Sequence, residues 1–258
     1  MNLRFVGTCA CDYSPLLRTE LRDALDLDVR RSSCALLDGR LLIDCGDHTP
    51  DSLRIQRIPL SAIDTLLLTH LHSDHYNPAH IRAIAQAAPR PLAVAAHESA
   101  LPALRADLIG ANVRLIPLKY LEATEISGYA VTALPANHTA CPAHYLIERG
   151  GKSLLYATDG AWILYDALYA LKGKRLDAAA FDATVGDYTG DFRAGEHNSI
   201  PMLRLLLPSL RTVDALRPDT AVYLTHIAPS LHQPHREEAP RLAREGLLLA
   251  HDGLTVEI

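Results

Sequence analysis

The sequence predicts a mixed α/β chain, with roughly a dozen short strands and helices on both sides of them. Three observations carry this. Short apolar runs alternate with longer stretches of helical periodicity along the whole chain. Turn dipeptides such as Asp38-Gly39 and Gly150-Gly151 fall between neighbouring apolar runs, where two residues at positive φ close a hairpin. The composition, 48% hydrophobic and 21% charged in 258 residues, is that of an ordinary globular protein. Such a chain buries roughly 70–75% of the surface its unfolded form exposes, so it needs no disulfide staples. No internal repeat, linker or charge run divides it, and residues 1–258 read as one domain.

Residues 3–6 form the first strand, and Cys34–Leu37 with Leu41–Ile43 a hairpin about Asp38-Gly39. Residues 65–68 are a buried strand that ends at Thr69-His70. Pro78–Ala87 is a helix, with Pro78 in the first turn, where its missing N–H costs nothing. Residues 92–95 and 113–116 read as strands around a helical segment, 98–109. Strands follow at 129–134, 143–147 and 154–157, then a helix at 161–171, strands at 178–181 and 221–224 around a helical stretch at 201–216, and a final hairpin about Asp252-Gly253. Residues 9–31 are the least regular part and read as an insertion over a site.

Several function classes are excluded by composition. A formal charge of −5 argues against a basic surface for long nucleic acid. No apolar run approaches the ~20 residues of a membrane-spanning helix. The N-terminus lacks a signal-peptide core. Five cysteines, an odd number outside any compact framework, fit a reducing, cytoplasmic setting.

Thirteen histidines are the outlying number, and several are crowded together. In Thr69-His70-Leu71-His72-Ser73-Asp74-His75, four potential metal ligands lie within six residues directly after a buried strand. Imidazole and carboxylate together suit zinc, manganese or iron. Three further candidates follow the same rule of a strand and then a polar residue: His138 after Pro135-Ala136-Asn137, Asp159 after Thr158, and His226 after Thr225.

These motifs, His-x-His-x-Asp-His and then a distal His, Asp and His, resemble those of the metallo-β-lactamase-fold hydrolases. The strand-end Asp44 in Leu42-Ile43-Asp44-Cys45-Gly46 adds to the resemblance, which runs from the first strand to His226. It implies a four-layer αββα sandwich with two divalent cations at one edge. His70, His72 and His138 would hold one cation, Asp74, His75 and His226 the other, and Asp159 would bridge them. Two such cations lower the pKa of a shared water and clamp the attacking and leaving oxygens.

Within the superfamily, a carboxylate at Asp159 is dissimilar to many true β-lactamases, which carry Cys or Ser there. His197, in Gly195-Glu196-His197-Asn198-Ser199 and some fifteen residues after Phe181-Asp182, is similar to the proton-donating His of the cyclic-phosphate phosphodiesterase branch of phosphonate breakdown. That resemblance makes Asp74 and His197 the catalytic pair and a small-molecule phosphate ester the substrate. A lactonase or thioesterase on the same metal site, or a metal-containing binding protein without turnover, are the alternatives. Hydrolases of this type often form homodimers near the site. The branch also carries a structural zinc site. Here only Cys9-Ala10-Cys11 stands near the N-terminus, and Pro229 replaces the helper His, so Cys9 and Cys11 read as buried or site-adjacent thiols.

Asp12, Tyr13, Arg18 and Arg22 are candidates for a pocket wall, with a solvated surface the simpler reading. His48 is a candidate to support the metals, and His144 reads as a core or rim residue. Trp162 reads as helix core. His80, His97, His232, His235 and His251 have no partner visible in sequence.

Overall fold

The computed structural model describes residues 1–20, 22–138 and 142–258. In its first half, strands β1 (Asn2–Gly7), β2 (Cys34–Leu37) and β3 (Leu41–Ile43) form an antiparallel meander. Helices α1 (Thr49–Ile55), α2 (Pro78–Ala87) and α3 (Leu101–Asp107) then alternate with β4 (Thr65–Leu67), β5 (Leu92–His97) and β6 (Val113–Leu118), all parallel to β3. The second half repeats the plan. β7 (Ala123–Ile126), β8 (Tyr129–Pro135), β9 (Ala143–Arg149) and β10 (Lys152–Ala157) are antiparallel. Then α4 (Tyr165–Leu171), α5 (Ile200–Thr212) and α6 (His235–Ala243) alternate with the parallel strands β11 (Leu176–Asp182), β12 (Leu216–Thr225) and β13 (Leu247–Leu249). The duplication lies in topology and leaves no periodic trace in the sequence.

Two seven-stranded sheets result, one ordered β14-β1-β2-β3-β4-β5-β6, with β14 (Thr255–Glu257) at its edge, and one ordered β13-β12-β11-β10-β9-β8-β7. Alternation along buried strands sorts side chains between layers, because successive residues face opposite sides. Leu41, Ile43, Leu67, Leu154, Tyr156 and Ala180 pack between the sheets. Leu42, Leu66 and Leu68 turn outward against the first three helices. Leu155, Ala157, Ala179 and Phe181 turn outward against the other three. This is the expected αββα sandwich, and runs apolar on both faces are what strands covered on both sides require.

The local signals explain the boundaries. Asp38 and Gly39 (φ 48° and 73°), and Gly150 and Gly151 (φ 58° and 76°), close tight hairpins as their sequences require. Asn77 caps α2 by accepting from the backbone of Ala79 (3.1 Å) and His80 (3.4 Å), and Ser199 caps α5 through Met202 (3.3 Å). Two expectations are corrected. The Asp252-Gly253 turn does not close a hairpin, because β13 pairs with β12 in one sheet and β14 with β1 in the other. Asp252 is instead buried, accepting from Thr8 (2.8 Å) and the Arg31 backbone (2.8 Å). Helix α4 begins at Tyr165, so Trp162 lies in the preceding loop, 39% exposed at φ 63°, and not in a helix core.

The loops after β3 and β4 approach closely at Gly46, where a Cβ would lie 1.8 Å from the carbonyl oxygen of Asp74. Gly46→Ala must therefore push the His/Asp loop away from its support. The expected loss is about 2–4 kcal/mol in urea unfolding; a loss below about 0.5 kcal/mol, the scale of a neutral surface change, would contradict this packing account.

Candidate metal centre

Each member of the predicted ligand set follows the carboxyl end of a strand. His70, His72, Asp74 and His75 follow β4, His138 follows β8, Asp159 follows β10, and His226 follows β12. Parallel neighbours end at the same edge, so residues 156 positions apart in sequence meet in space. The backbone is left-handed at two of these strand ends, Asp159 (φ 54°) and His226 (φ 56°), and at Asp44 (φ 64°) after β3. Non-glycine residues pay about 1–3 kcal/mol for such conformations, which persist where surrounding contacts over-determine them.

Those contacts are present. Asp44 is fully buried and accepts from the Thr69 backbone N–H (2.8 Å), the Thr69 hydroxyl (2.8 Å) and His75 Nδ1–H (2.7 Å). With its hydrogen committed to Asp44, the Thr69 hydroxyl accepts from His70 Nδ1–H at 3.1 Å. Thr184 works the same way on the far side. Its hydroxyl donates to the His226 carbonyl (2.9 Å) and accepts from His226 Nδ1–H (2.7 Å). In His70, His75 and His226 alike, Nδ1 carries the proton, and the lone pair at Nε2 is the one aimed into the cluster.

What converges there cannot satisfy itself. His75 Nε2 lies 3.2 Å from His226 Nε2, 2.6 Å from Asp159 Oδ2 and 3.4 Å from Asp74 Oδ2. His226 Nε2 lies 3.0 Å from Asp159 Oδ2 and 3.5 Å from Asp74 Oδ2. His138 Nε2 is 3.2 Å from His72 Nδ1 and 3.7 Å from Asp159 Oδ1, so the two oxygens of Asp159 face the two imidazole groups. His70 Nε2 is buried and has no hydrogen-bond partner among the described residues. Two subsets, His70/His72/His138 and Asp74/His75/His226, each bring their donor atoms within 4.8 Å of one another, as does His70/His75/Asp159. These are the two triads and the bridging position that the motif implies. Acceptors at such separations repel unless a cation lies between them, and mixed nitrogen and oxygen donors suit a first-row divalent metal.

The titration behaviour agrees. Burial pushes the His226 imidazole down, yet Asp159 and Asp74 outweigh it and raise its pKa to about 10. His75 is likewise driven well above its usual range against its own burial by Asp159, Asp74 and Asp44. The site thus demands positive charge, which protons supply in the metal-free protein.

Beside the cluster, Asp182 is fully buried and accepts from His197 Nδ1–H (2.7 Å), the Thr184 backbone (2.9 Å) and the Asn198 backbone (3.1 Å). His197 stacks on His226 with ring centroids 5.3 Å apart. Burial lowers the His197 pKa, but Asp182 more than offsets it and leaves the ring above its usual value. Asn198 ties this segment to the Asp159 loop through the Gly160 carbonyl (2.9 Å) and the Trp162 backbone (2.8 Å). Five of the seven candidates (His72, Asp74, His138, Asp159 and His226) and His197 line a cleft of ≈ 290 Å³ whose wall also includes Cys11, Asp12, Phe192 and Arg193.

Other sequence candidates lie elsewhere. His48 reaches Ser32 (3.2 Å) and the Tyr13 ring, not the cluster, and with Arg18 they line a separate pocket. Arg22 is exposed, and its carbonyl accepts from Arg31. Cys9 is buried and Cys11 exposed, both free thiols, and neither joins a metal-holding group among the described residues. His144 is buried against Gly160. Asp182, Thr184 and Asn198 escaped sequence reading as supports. The signal available was Asp182 at a strand end, the same placement that marked Asp159.

A beta-lactamase superfamily domain matches residues 39–227, well over half of the chain. The chain belongs to the beta-lactamase superfamily. Its architecture is that of the superfamily's metallo-β-lactamase-fold hydrolases. A stretch of 35 residues is 54% identical to the anti-Pycsar protein Apyc1 of Bacillus phage BSP38, and it spans 14% of this chain and 14% of that curated relative. Among solved structures, a diphosphatase from the PhnP family superposes with a TM-score of 0.77 at 22% identity, covering 100% of this chain and 97% of that one. Zinc-bound PqqB from Methylobacterium extorquens gives 0.75 at 20% identity, with 100% of both chains covered. These structures share the fold with this superfamily member. No helix among its described residues is long and apolar enough to cross a membrane.

Metal binding must displace protons from this superfamily member. A group raised in the folded state stabilises it fully below its unfolded pKa, and that contribution is lost as pH rises through the folded value. For His226 the window is from roughly pH 6.5 up to about 10. Titrating Zn²⁺ into the metal-free protein at pH 7.5, in calorimetric buffers of different ionisation enthalpy, should show net proton release, with apparent affinity rising with pH. Binding without proton release would contradict the assignment. Asp44→Ala should weaken metal affinity about 10–100-fold in chelator competition, because it frees His75 Nδ1 and the Thr69 loop.

Proposed function

We propose that the protein is a dinuclear metal-dependent phosphodiesterase acting on a small or cyclic phosphate ester. The observation that carries this reading is His197, which lines the same cleft as much of the ligand cluster with its Nδ1 tied to the buried Asp182 carboxylate at 2.7 Å. His70, His72 and His138 would hold one cation, Asp74, His75 and His226 the other, and Asp159 would reach both. The donor set suits zinc or manganese, with iron a further fit. Two divalent cations bound there would supply a nucleophilic hydroxide from water at neutral pH and neutralise charge on the phosphoryl oxygens.

The chain's own groups do the rest. Asp182 accepts the Nδ1 proton of His197, so the proton left to give is at Nε2. Asp182 raises the His197 pKa against its burial, and a leaving alkoxide needs a proton from such a group. Asp182 is fully buried and holds Nδ1 on one side, which fixes the imidazole plane before substrate arrives. Thr184 joins the two halves of the machinery, touching His226 Nδ1 at 2.7 Å and His197 Nδ1 at 3.3 Å. Arg193, held by Asp191 at 2.9 Å, gives the cleft mouth a fixed cation for an anionic ester. The fold shared with a PhnP-family diphosphatase is in keeping with phosphoryl chemistry.

The test is turnover of bis(p-nitrophenyl) phosphate and of 2′,3′-cyclic nucleotides with Mn²⁺ or Zn²⁺ added, set against a lactone. Metal-dependent ester hydrolysis is expected, with the lactone slower. No turnover of any phosphate ester would reject the reading. His197→Ala should keep both metals and lose about 10²–10⁴-fold in kcat on the cyclic nucleotide. Its loss on the p-nitrophenyl ester should be much smaller, because p-nitrophenolate leaves without a proton. Loss of metal in this variant would make His197 a ligand instead.

A further inference from the structure

We infer that His232 and Glu238 form a buried strut that positions His226, and so tunes the metal triad of which His226 is part; this rests on His226 being a metal ligand. Their side chains are only 3% and 1% exposed, and neither lines the catalytic cleft. His232 Nδ1 lies 2.7 Å from Glu238 Oε2, and its Nε2–H donates to the Ala183 carbonyl at 2.7 Å. Ala183 immediately precedes Thr184, whose hydroxyl grips both the carbonyl and Nδ1 of His226.

Helix α6 holds the same loop at a second point. Glu238 Oε1 accepts from Arg241 (3.2 Å), and Arg241 in turn donates to Asp187 Oδ2 (2.6 Å), four residues beyond Ala183. Between these anchors the loop runs hard against the segment that carries His232. Gly186 sits at φ 64°, and a Cβ there would lie 2.1 Å from the Leu231 carbonyl oxygen. The loop after β11 is therefore clamped at residues 183, 186 and 187, with Thr184 inside the clamp.

The need for a clamp follows from the cluster. His226 is left-handed at φ 56° and presents its Nε2 lone pair to two carboxylates and a second imidazole. Its orientation depends on Thr184, so displacement of Thr184 would let the ring turn. A buried ion pair is poor ground for stability, since an apolar pair of the same volume often does as well. What His232 adds that an apolar residue cannot is an N–H at a fixed place beneath Ala183.

The experiment compares His232→Met, which keeps bulk and removes the donor, with His232→Gln, whose amide N–H can reach the Nε2 position. Zinc affinities are measured on metal-free protein by competition with a chromophoric chelator, and His226→Ala identifies which of the two constants belongs to the His226 triad. In His232→Met that constant should weaken about tenfold, near the lower end for outer-shell partners. The other should hold within about twofold, and His232→Gln should recover most of the loss. On bis(p-nitrophenyl) phosphate, kcat should fall with KM little changed. Wild-type zinc affinities in a His232→Met protein whose thermal midpoint alone has dropped would overturn the inference and leave a purely structural pair. Should that variant fail to fold, Glu238→Gln, which conserves volume, is measured the same way, and unchanged constants again overturn it. Wild-type protein that binds no zinc would sink the functional reading and this inference together, whereas two bound zincs without the variant pattern would sink this inference alone.

Discussion

The constraint on which everything here depends is a concentration of lone pairs. Five imidazoles and two carboxylates meet at one edge of the sandwich. In three of the imidazoles, Nδ1 is fixed by Asp44, Thr69 or Thr184, which leaves Nε2 as the atom turned inward. Such a group of acceptors at 2.6–3.5 Å is not mutually satisfied by the described residues. Protons relieve it in part, and divalent cations relieve it fully. The strained strand ends, the close approach at Gly46 and the buried Asp44 are means of holding this arrangement against its own repulsion.

The fold makes that possible by separating rigidity from chemistry. Three apolar layers, one between the sheets and one under each set of helices, set the strand positions. The carboxyl ends of the strands then carry the polar loops. The two halves share a topology but divide the work unequally. The first supplies Asp44 and the His70–His75 loop. The second supplies His138, Asp159, Asp182, His197 and His226. Closing the centre therefore requires both sheets to pack, so the metal site reports on the whole sandwich and not on one motif.

Beyond the ligands, the second half builds a series of contacts that ends on protons. Asp182 orients His197 and also accepts from the Thr184 backbone, and Thr184 holds His226. His197 and His226 are thus both held by one short loop after β11, which contacts helix α6. A small displacement there would move both imidazoles together, because they share a support.

Much of this was written in the sequence itself. The mixed α/β class followed from alternating apolar runs and helical stretches, and the αββα sandwich was what the resemblance of the His/Asp motifs implied. Local rules worked where the cause was local, as in the Asp38-Gly39 and Gly150-Gly151 turns and the Pro78 helix start. They failed where a partner decided the outcome. Asp252-Gly253 has the chemistry of a hairpin, but the flanking strands find hydrogen bonds in different sheets. Trp162 has a helical neighbourhood, but its backbone is captured by Asn198. His232 showed no partner in sequence, because Glu238 and the Ala183 carbonyl reach it only once α6 packs beside β13 and the loop after β11 comes alongside. The chain alone determined which residues carry lone pairs and where strands stop. Tertiary packing decided which of those lone pairs face one another and which groups hold them there, since distances between residues far apart in sequence exist only once the layers have closed.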